Sequence, residues 1–292
     1  MKRILLFAAT NVAILIVLSV TAKLFGLDVY LAERGGSLSG LLGLSAIFGF
    51  GGAFISLALS KSMAKMAMGV KVIHEPRDAA EAWLVATVRA HAQRIGVGMP
   101  EVGVFDSSTA NAFATGARRD RALVTVSSGL LARMQSEEVE AVLGHEMSHV
   151  ANGDMVTMTL LQGVLNTFVI FLARVLGTVI DGVLRGNQRD ERYGPGPFYF
   201  LTVIILQVLF GVLATLIVMW FSRRREFRAD AGGATLAGRA NMISALMSLQ
   251  RSHGVPLPGQ FQAFGIQGGS VLRLFMSHPP IEERIAALRA LP

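Results

Sequence analysis

Apolar residues in this chain gather in four long uncharged blocks, separated by stretches where charged and apolar residues alternate. Ile4 to Ala22 holds no charge and lies between Lys2-Arg3 and Lys23. Leu38 to Leu59 is also uncharged and ends at Lys61 and Lys65. The third block runs from Val156 to Ala173, meets Arg174 and is expected to continue to Ile180. Phe198 to Phe221 is the fourth and ends at Arg223-Arg224-Arg225. A bilayer core takes roughly 20 apolar residues per helix, with about 17 to 25 tolerated. All four blocks meet that length, the third least cleanly because of Gln162, Asn166 and Arg174. The pattern predicts an α-helical membrane protein with four transmembrane helices. The first block also looks like a signal peptide, but its apolar run exceeds the usual length, so it is read as an uncleaved anchor.

Lysines and arginines near the span ends set the orientation. An inside amino terminus puts Lys2, Arg3, Lys61, Lys65, Arg223, Arg224 and Arg225 on the cytoplasmic side, against Lys23, Arg34, Arg185, Arg189 and Arg192 opposite. This excess predicts both termini in the cytoplasm. The division is then 1–60 for two amino-terminal spans and 156–221 for a membrane hairpin. Segments 61–155 and 222–292 form one folded unit outside the membrane.

In the first of these segments Asp78 is expected to cap a helix from Ala79 to about Ile95, ended by Gly96-Val-Gly-Met-Pro100. Trp83 and Val88 are among its apolar positions. Three strand-like runs follow, Glu101–Asp106, Ala112–Thr115 and Ala122–Ser127, and short turns between them predict an antiparallel meander. Ser136 then looks like the cap of a helix through His149, with Val139, Leu143, Met147 and Val150 as its apolar stripe. Helices are also expected over 223–249 and 281–291, with a Gly/Pro/Gln-rich loop at 254–270.

Composition narrows the class further. The chain has 292 residues, 52% apolar and only 16% charged, which excludes disorder. It holds no cysteine, so disulfides and thiolate ligands are out. Net charge is +7, which basic flanks on membrane spans explain without nucleic acid.

The chemistry centres on His145-Glu146-Met147-Ser148-His149. Histidines at i and i+4 share one helix face and can reach one zinc ion. The Glu146 carboxylate sits beside the first histidine, where it reaches the attacking water rather than the metal. H-E-x-x-H also arises by chance, and its bland reading is a polar helix face. Gly144, just before, would let another backbone approach closely. A catalytic zinc needs a third protein ligand. Glu226 is the best candidate, five residues beyond the fourth block as His149 is seven before the third. Its bland reading is a partner for Arg223 on a solvated helix. Asp230, one turn on, is placed to accept the outer N–H of a ligating histidine. It competes with a surface pairing to Arg228 or Arg239. Asp154 is a weaker candidate for the same part.

Taken together, His145–His149 with Val150-Ala-Asn-Gly-Asp154, Asn111-Ala-Phe-Ala-Thr-Gly116, Glu226-Phe-Arg-Ala-Asp230 and Ser277-His-Pro-Pro280 resemble the HtpX family of bacterial membrane zinc endopeptidases. That family is similar to the CAAX prenyl proteases and is of gluzincin type. The resemblance covers nearly the whole chain. It implies an α+β gluzincin-like protease domain on four spans, in the bacterial inner membrane with a cytoplasmic active site. It implies quality control and stress response, with misfolded or damaged membrane proteins as substrates and the bilayer as surroundings. His145, His149 and Glu226 would hold one zinc ion and Glu146 would be the catalytic base. His278 would be a second donor to the oxyanion, against the bland reading that it merely starts the last helix. Arg284 would orient these groups or be an ordinary surface arginine. Asn111, Ala112, Phe113 and Ala114 would form an edge strand that binds polypeptide by main-chain hydrogen bonds. His74, His91 and His253 are expected to be surface or core histidines.

Two rival readings remain at this stage. One is a membrane transporter, supported by Arg174 and Asp181 in or beside the third span. The other is an inactive scaffold with a structural zinc site.

Overall fold

The computed structural model describes residues 15–24, 26–32, 36–185, 196–253 and 277–291. The start of the first apolar block and the Gly/Pro/Gln-rich 254–270 segment lie outside these residues. Contacts divide the chain into two compact units, Met1–Ile55 with Thr159–Val218 and Ser56–Met158 with Met219–Pro292.

The first unit is helical. It contains α1 (Leu15–Leu24), α2 (Leu27–Ala32) and α3 (Leu38–Ala46). A π-helical turn at Ile47–Gly51 joins α3 to α4 (Gly52–Met68). Much of α8 (Asp154–Arg185) and α9 (Pro197–Ala237) belongs here as well. Leu18, Leu31, Leu38 and Leu42 bury against Phe171 and Val175. The outward side stays apolar, with Ile204, Val208 and Leu209 among the exposed side chains, as a lipid-facing surface requires. Among the described residues three helices are long and apolar enough to cross a membrane: Leu38–Met68, Asp154–Leu184 and Phe198–Ala237. The described part of the first block is a shorter apolar helix, Leu15–Leu24.

The charges that favoured a transporter have hydrogen-bond partners on the chain itself. Asp181 accepts a hydrogen bond from the Gly196 N–H at 2.8 Å, just before α9 begins. Arg174 donates to the Ile170 carbonyl one turn back.

The second unit builds a four-stranded sheet in the order β1-β2-β4-β3. Its strands are β1 (Lys71–Val72), β2 (Glu101–Phe105), β3 (Ala112–Thr115) and β4 (Leu123–Ser127). The expected meander is therefore wrong in one pairing. β3 and β4 form the antiparallel hairpin, but β4 lies parallel to β2. The cause is burial. Leu123-Val-Thr-Val-Ser127 is covered at every residue, so it belongs in the middle of the sheet, and β3 is left at the edge.

Around the sheet lie α5 (Ala79–Ile95), α6 (Ser128–Arg133), α7 (Ser136–Asn152), α10 (Arg239–His253) and α11 (Ile281–Arg289). Asp78 caps α5 by accepting from the Glu81 N–H at 2.7 Å. Val88 is buried and Trp83 packs against the core. α7 starts one residue earlier than the serine suggested. Its cap is Gln135, whose N–H donates to the Glu138 carboxylate, while the Ser136 hydroxyl bonds Glu137. Glu138 itself is buried and accepts from Ser244 and Ser248 of α10 at 2.6 Å each. The helix expected over 223–249 is two helices, broken at Gly238, whose φ of +97° is open to glycine at little cost.

α7 and α9 cross at small residues. A Cβ at Gly144 would stand 3.2 Å from the Gly233 backbone, and one at Gly232 would stand 2.8 Å from the Ser148 Cβ. The second clash cannot be relieved by turning the serine hydroxyl away. Gly232→Ala should therefore destabilise the chain by about 1–2 kcal/mol, because overpacking exceeds the helix-propensity gain of alanine. Adding Ser148→Gly removes the clash and should recover part of the loss, as thermal unfolding of the two variants would report.

Candidate active site

α7 sets the site because most of its carboxy-terminal half is buried. Val139, Leu143, Met147 and Val150 all face the core as their spacing implied, and His145 and His149 are 6% exposed each. Between residues 141 and 150 only Glu146 is not buried. The helix thus hides two imidazoles and leaves the carboxylate between them accessible. Gly153, at φ +65°, ends α7 with a left-handed residue and turns the chain directly into α8.

α9 supplies the opposing wall. Its 41 residues amount to roughly 60 Å at 1.5 Å each, about twice a bilayer core. The end beyond the apolar run carries Glu226 and Asp230, one turn apart and both buried. Glu226 reaches the two histidines with both oxygens, Oε2 at 3.5 Å from His145 Nε2 and Oε1 at 3.3 Å from His149 Nε2. The two Nε2 atoms lie 3.1 Å apart. His145, His149 and Glu226 are the group of potential metal ligands found among the described residues, with ligand atoms within 4.8 Å of one another.

The outer nitrogens fix which lone pairs point inward. His145 Nδ1 lies 2.9 Å from Asp230 Oδ1, and His149 Nδ1 lies 2.7 Å from Asp154 Oδ2. A carboxylate at that position takes an N–H, so both Nδ1 atoms donate, and both Nε2 atoms turn to the same point, where each offers a lone pair once its proton has left. Two lone pairs and a carboxylate converging in a dry site call for a positive charge between them. Ligand spacings of 3.1, 3.3 and 3.5 Å match the edges of a tetrahedron around an ion about 2.0–2.1 Å from its ligands, which are about 3.3 Å. The donor set fits a zinc-type ion.

The electrostatics agree. Burial works against a charged His149, but its hydrogen bonds to Asp154 and Glu226 outweigh that and push it up to about 9. His145 is raised in the same way by Asp230 and Glu226 against its burial. Glu226 is held far below the usual carboxylate range by the three histidines that bond it, although burial alone would raise it. The carboxylates that favour a proton on these imidazoles equally favour a cation.

Each remaining candidate can now be located. Asp230 bonds Arg284, not Arg228 or Arg239, with Nε–Oδ2 at 2.7 Å and Nη2–Oδ1 at 2.5 Å. Arg284 is 7% exposed, so it is no surface arginine. His278 places Nδ1 2.6 Å from Glu226 Oε2 with its side chain 61% exposed. Asn111 precedes the edge strand that holds Ala112, Phe113 and Ala114, and β3 pairs with β4 along one side only. A shallow depression lies beside His149, lined by Thr115, Arg118 and Met155 among others. His91 is a core histidine whose Nε2 lies 3.2 Å from the Glu140 carbonyl, while His74 is exposed. The side chain of His253 lies outside the described residues. Asp154 backs His149 as Asp230 backs His145. Its signal was the Gly153-Asp154 pair closing the histidine helix, a turn that swings the carboxylate back onto His149.

Comparison with known proteins places these residues in context. Residues 78–291 match the model of peptidase family M48. The chain is 60% identical over 289 residues to a protease HtpX of Stenotrophomonas maltophilia, covering 99% of this chain and 98% of that one. It is 56% identical over 294 residues to a protease HtpX homolog of Thiobacillus denitrificans, covering both in full. Among solved structures it resembles S. mikatae Ste24p with a TM-score of 0.63 at 18% identity, over 97% of this chain and 67% of that one, a likeness of fold.

Replacing Arg284 by methionine would leave the buried Asp230 without its fork. Loss of one partner from a buried ion pair costs about 3–5 kcal/mol. Urea denaturation of metal-free Arg284→Met should show a loss of that size, with Asp230→Asn added to Arg284→Met recovering much of it.

Proposed function

The chain belongs to peptidase family M48 and is a membrane-bound metalloprotease; we propose that it is a zinc endopeptidase acting on misfolded or damaged membrane proteins. The observation that carries this reading is the convergence of two aspartate-backed Nε2 atoms and the Glu226 carboxylate beside the accessible Glu146. In this reading His145, His149 and Glu226 hold one zinc ion. When bound, zinc polarises the scissile carbonyl and lowers the pKa of water.

The chain's own residues do the rest. Glu146 removes the proton of the attacking water and passes it to the leaving amine. Its partial exposure, against the burial of its neighbours, suits a group that must meet substrate. Asp230, held by Arg284, keeps Nδ1 of His145 protonated and its ring aligned. His278 stands at the exposed rim of the site, where it is positioned to donate to the oxyanion. Asn111, Ala112, Phe113 and Ala114 take an extended polypeptide along the free side of β3 by main-chain hydrogen bonds, which select little sequence. That economy suits a protease that removes damaged proteins of many sequences.

We place the protein in the bacterial inner membrane with four spans, the first formed by the leading apolar block. The spans would occupy 1–60 and 156–221, and the protease domain, formed by 61–155 and 222–292, would face the cytoplasm with both termini. The lipid bilayer surrounds it and polypeptides are its partners.

Glu146→Gln should keep one zinc per chain and lower cleavage of a misfolded membrane substrate by about 10²–10⁴-fold. Metal content and turnover of the purified full chain measure both, and unchanged cleavage would sink the mechanism. A reporter enzyme fused after Leu291 should be active only in the cytoplasm. Activity only outside it would reverse the orientation.

A further inference from the structure

We propose that Arg225 is a positioning residue of the metal site, acting through Asp154 on His149 as Arg284 acts through Asp230 on His145. The inference rests on the reading of His145, His149 and Glu226 as zinc ligands.

Arg225 stands in the run Arg223-Arg224-Arg225, whose plain reading is a basic flank at the end of a span. The three residues behave differently. Arg224 is exposed and lies over the Trp220 ring at 4.5 Å. Arg223 is half-buried, and Arg225 is 7% exposed. A membrane flank needs no burial, and a buried guanidinium loses its hydration without full repayment.

The negative groups facing it are Asp154 and Glu226. Arg225 Nη1 lies 3.7 Å from Asp154 Oδ2, the same oxygen that takes His149 Nδ1 at 2.7 Å. Nη2 donates to the Ser222 hydroxyl at 3.3 Å, which anchors the fork one turn back on its own helix. Among the described residues Nε and Nη1 have no hydrogen-bond partner. Separation of 3.7 Å is ion-pair range and beyond a direct hydrogen bond. Arg284, by contrast, grips Asp230 with two bonds of 2.7 and 2.5 Å. The site therefore has two backing chains of the same order, imidazole to aspartate to buried arginine, one tight and one looser.

Position explains what the looser chain does. Arg225 is the neighbour of Glu226 on α9, and Asp154 is the first residue of α8. The ion pair ties the helix that carries the third ligand to the carboxylate that aims the second. Without it Asp154 would keep only His149 as a charged-state partner and would be free to leave that orientation. The nitrogen facing the metal would then lose its fixed direction.

The test uses the full chain in detergent, stripped of metal, with zinc affinity read by competition against a chromophoric chelator. Arg225→Gln and Asp154→Asn should each weaken zinc binding by about 10–100-fold. The double variant should be no weaker than Asp154→Asn alone, and Arg225→Lys should recover most of the loss. In the cobalt-loaded chain the visible bands should shift alike in Arg225→Gln and Asp154→Asn. Wild-type affinity in Arg225→Gln, or penalties that multiply in the double variant, would overturn the proposal. Should Arg225→Gln fail to fold, Arg225→Met enters the same cycle with the same expectations. A wild-type chain that binds no zinc refutes the ligand assignment itself, which the wild-type titration reports before any variant is made.

Discussion

Two imidazole nitrogens 3.1 Å apart, faced by one carboxylate in a buried pocket, form an arrangement that a folded chain tolerates only under constraint. Each group would prefer water, and each buried charge costs several kcal/mol unless paired. The chain meets this by surrounding the three with opposite or complementary groups rather than with apolar packing. Asp154 and Asp230 take the outer N–H groups, and Arg284 takes Asp230 in turn. The result is nearly fixed before any metal arrives, which lowers the ordering cost of binding it.

Holding that cluster requires two helices at backbone distance. Gly144 and Gly233 meet where α7 crosses α9, and Gly232 makes room for Ser148. The i, i+4 pair His145 and His149 then faces the i, i+4 pair Glu226 and Asp230. Such matched spacing works only at one rotation of each helix, since a slip of one residue turns a side chain by about 100°. α9 is continuous from Pro197 to Ala237, so Glu226 and Asp230 lie on the same helix as an apolar run long enough to cross a membrane.

Much of this was legible in the sequence, and the exceptions share a cause. H-E-x-x-H, Glu226 and Asp230 were readable because helical spacing is short-range and the residue types are few. Asp78 and Gly96 bounded α5 for the same local reason. The β2–β4 pairing was not readable, because the choice between neighbours in a sheet depends on which strand is covered on both sides, a property of the helices packed against it. Arg284 and Asp154 were weighed too lightly because burial, not type, separates a surface charge from one that backs a histidine. Gln135 displaced Ser136 as the cap because Glu138 is drawn inward by Ser244 and Ser248, more than 100 residues away in the chain.

The basic residues show the same separation between what a nascent chain displays and what the fold makes of it. Seven lysines and arginines carry the orientation proposed above, and several of them have partners in the folded chain. Lys61 and Lys65 both pair with Glu101 at the start of β2, at 2.8 and 2.5 Å, and Arg225 is buried against Asp154. This does not weaken the orientation they imply. Insertion reads charge near the span ends as the chain is made, before Glu101 or Asp154 has a partner to offer. In that orientation the residues would serve twice, first as unpaired charges that hold span ends on one side and later as ion-pair partners within the folded unit. With 16% charged residues in 292, there are few cations to spare, and those flanking the spans lie next in sequence to the elements that build the site.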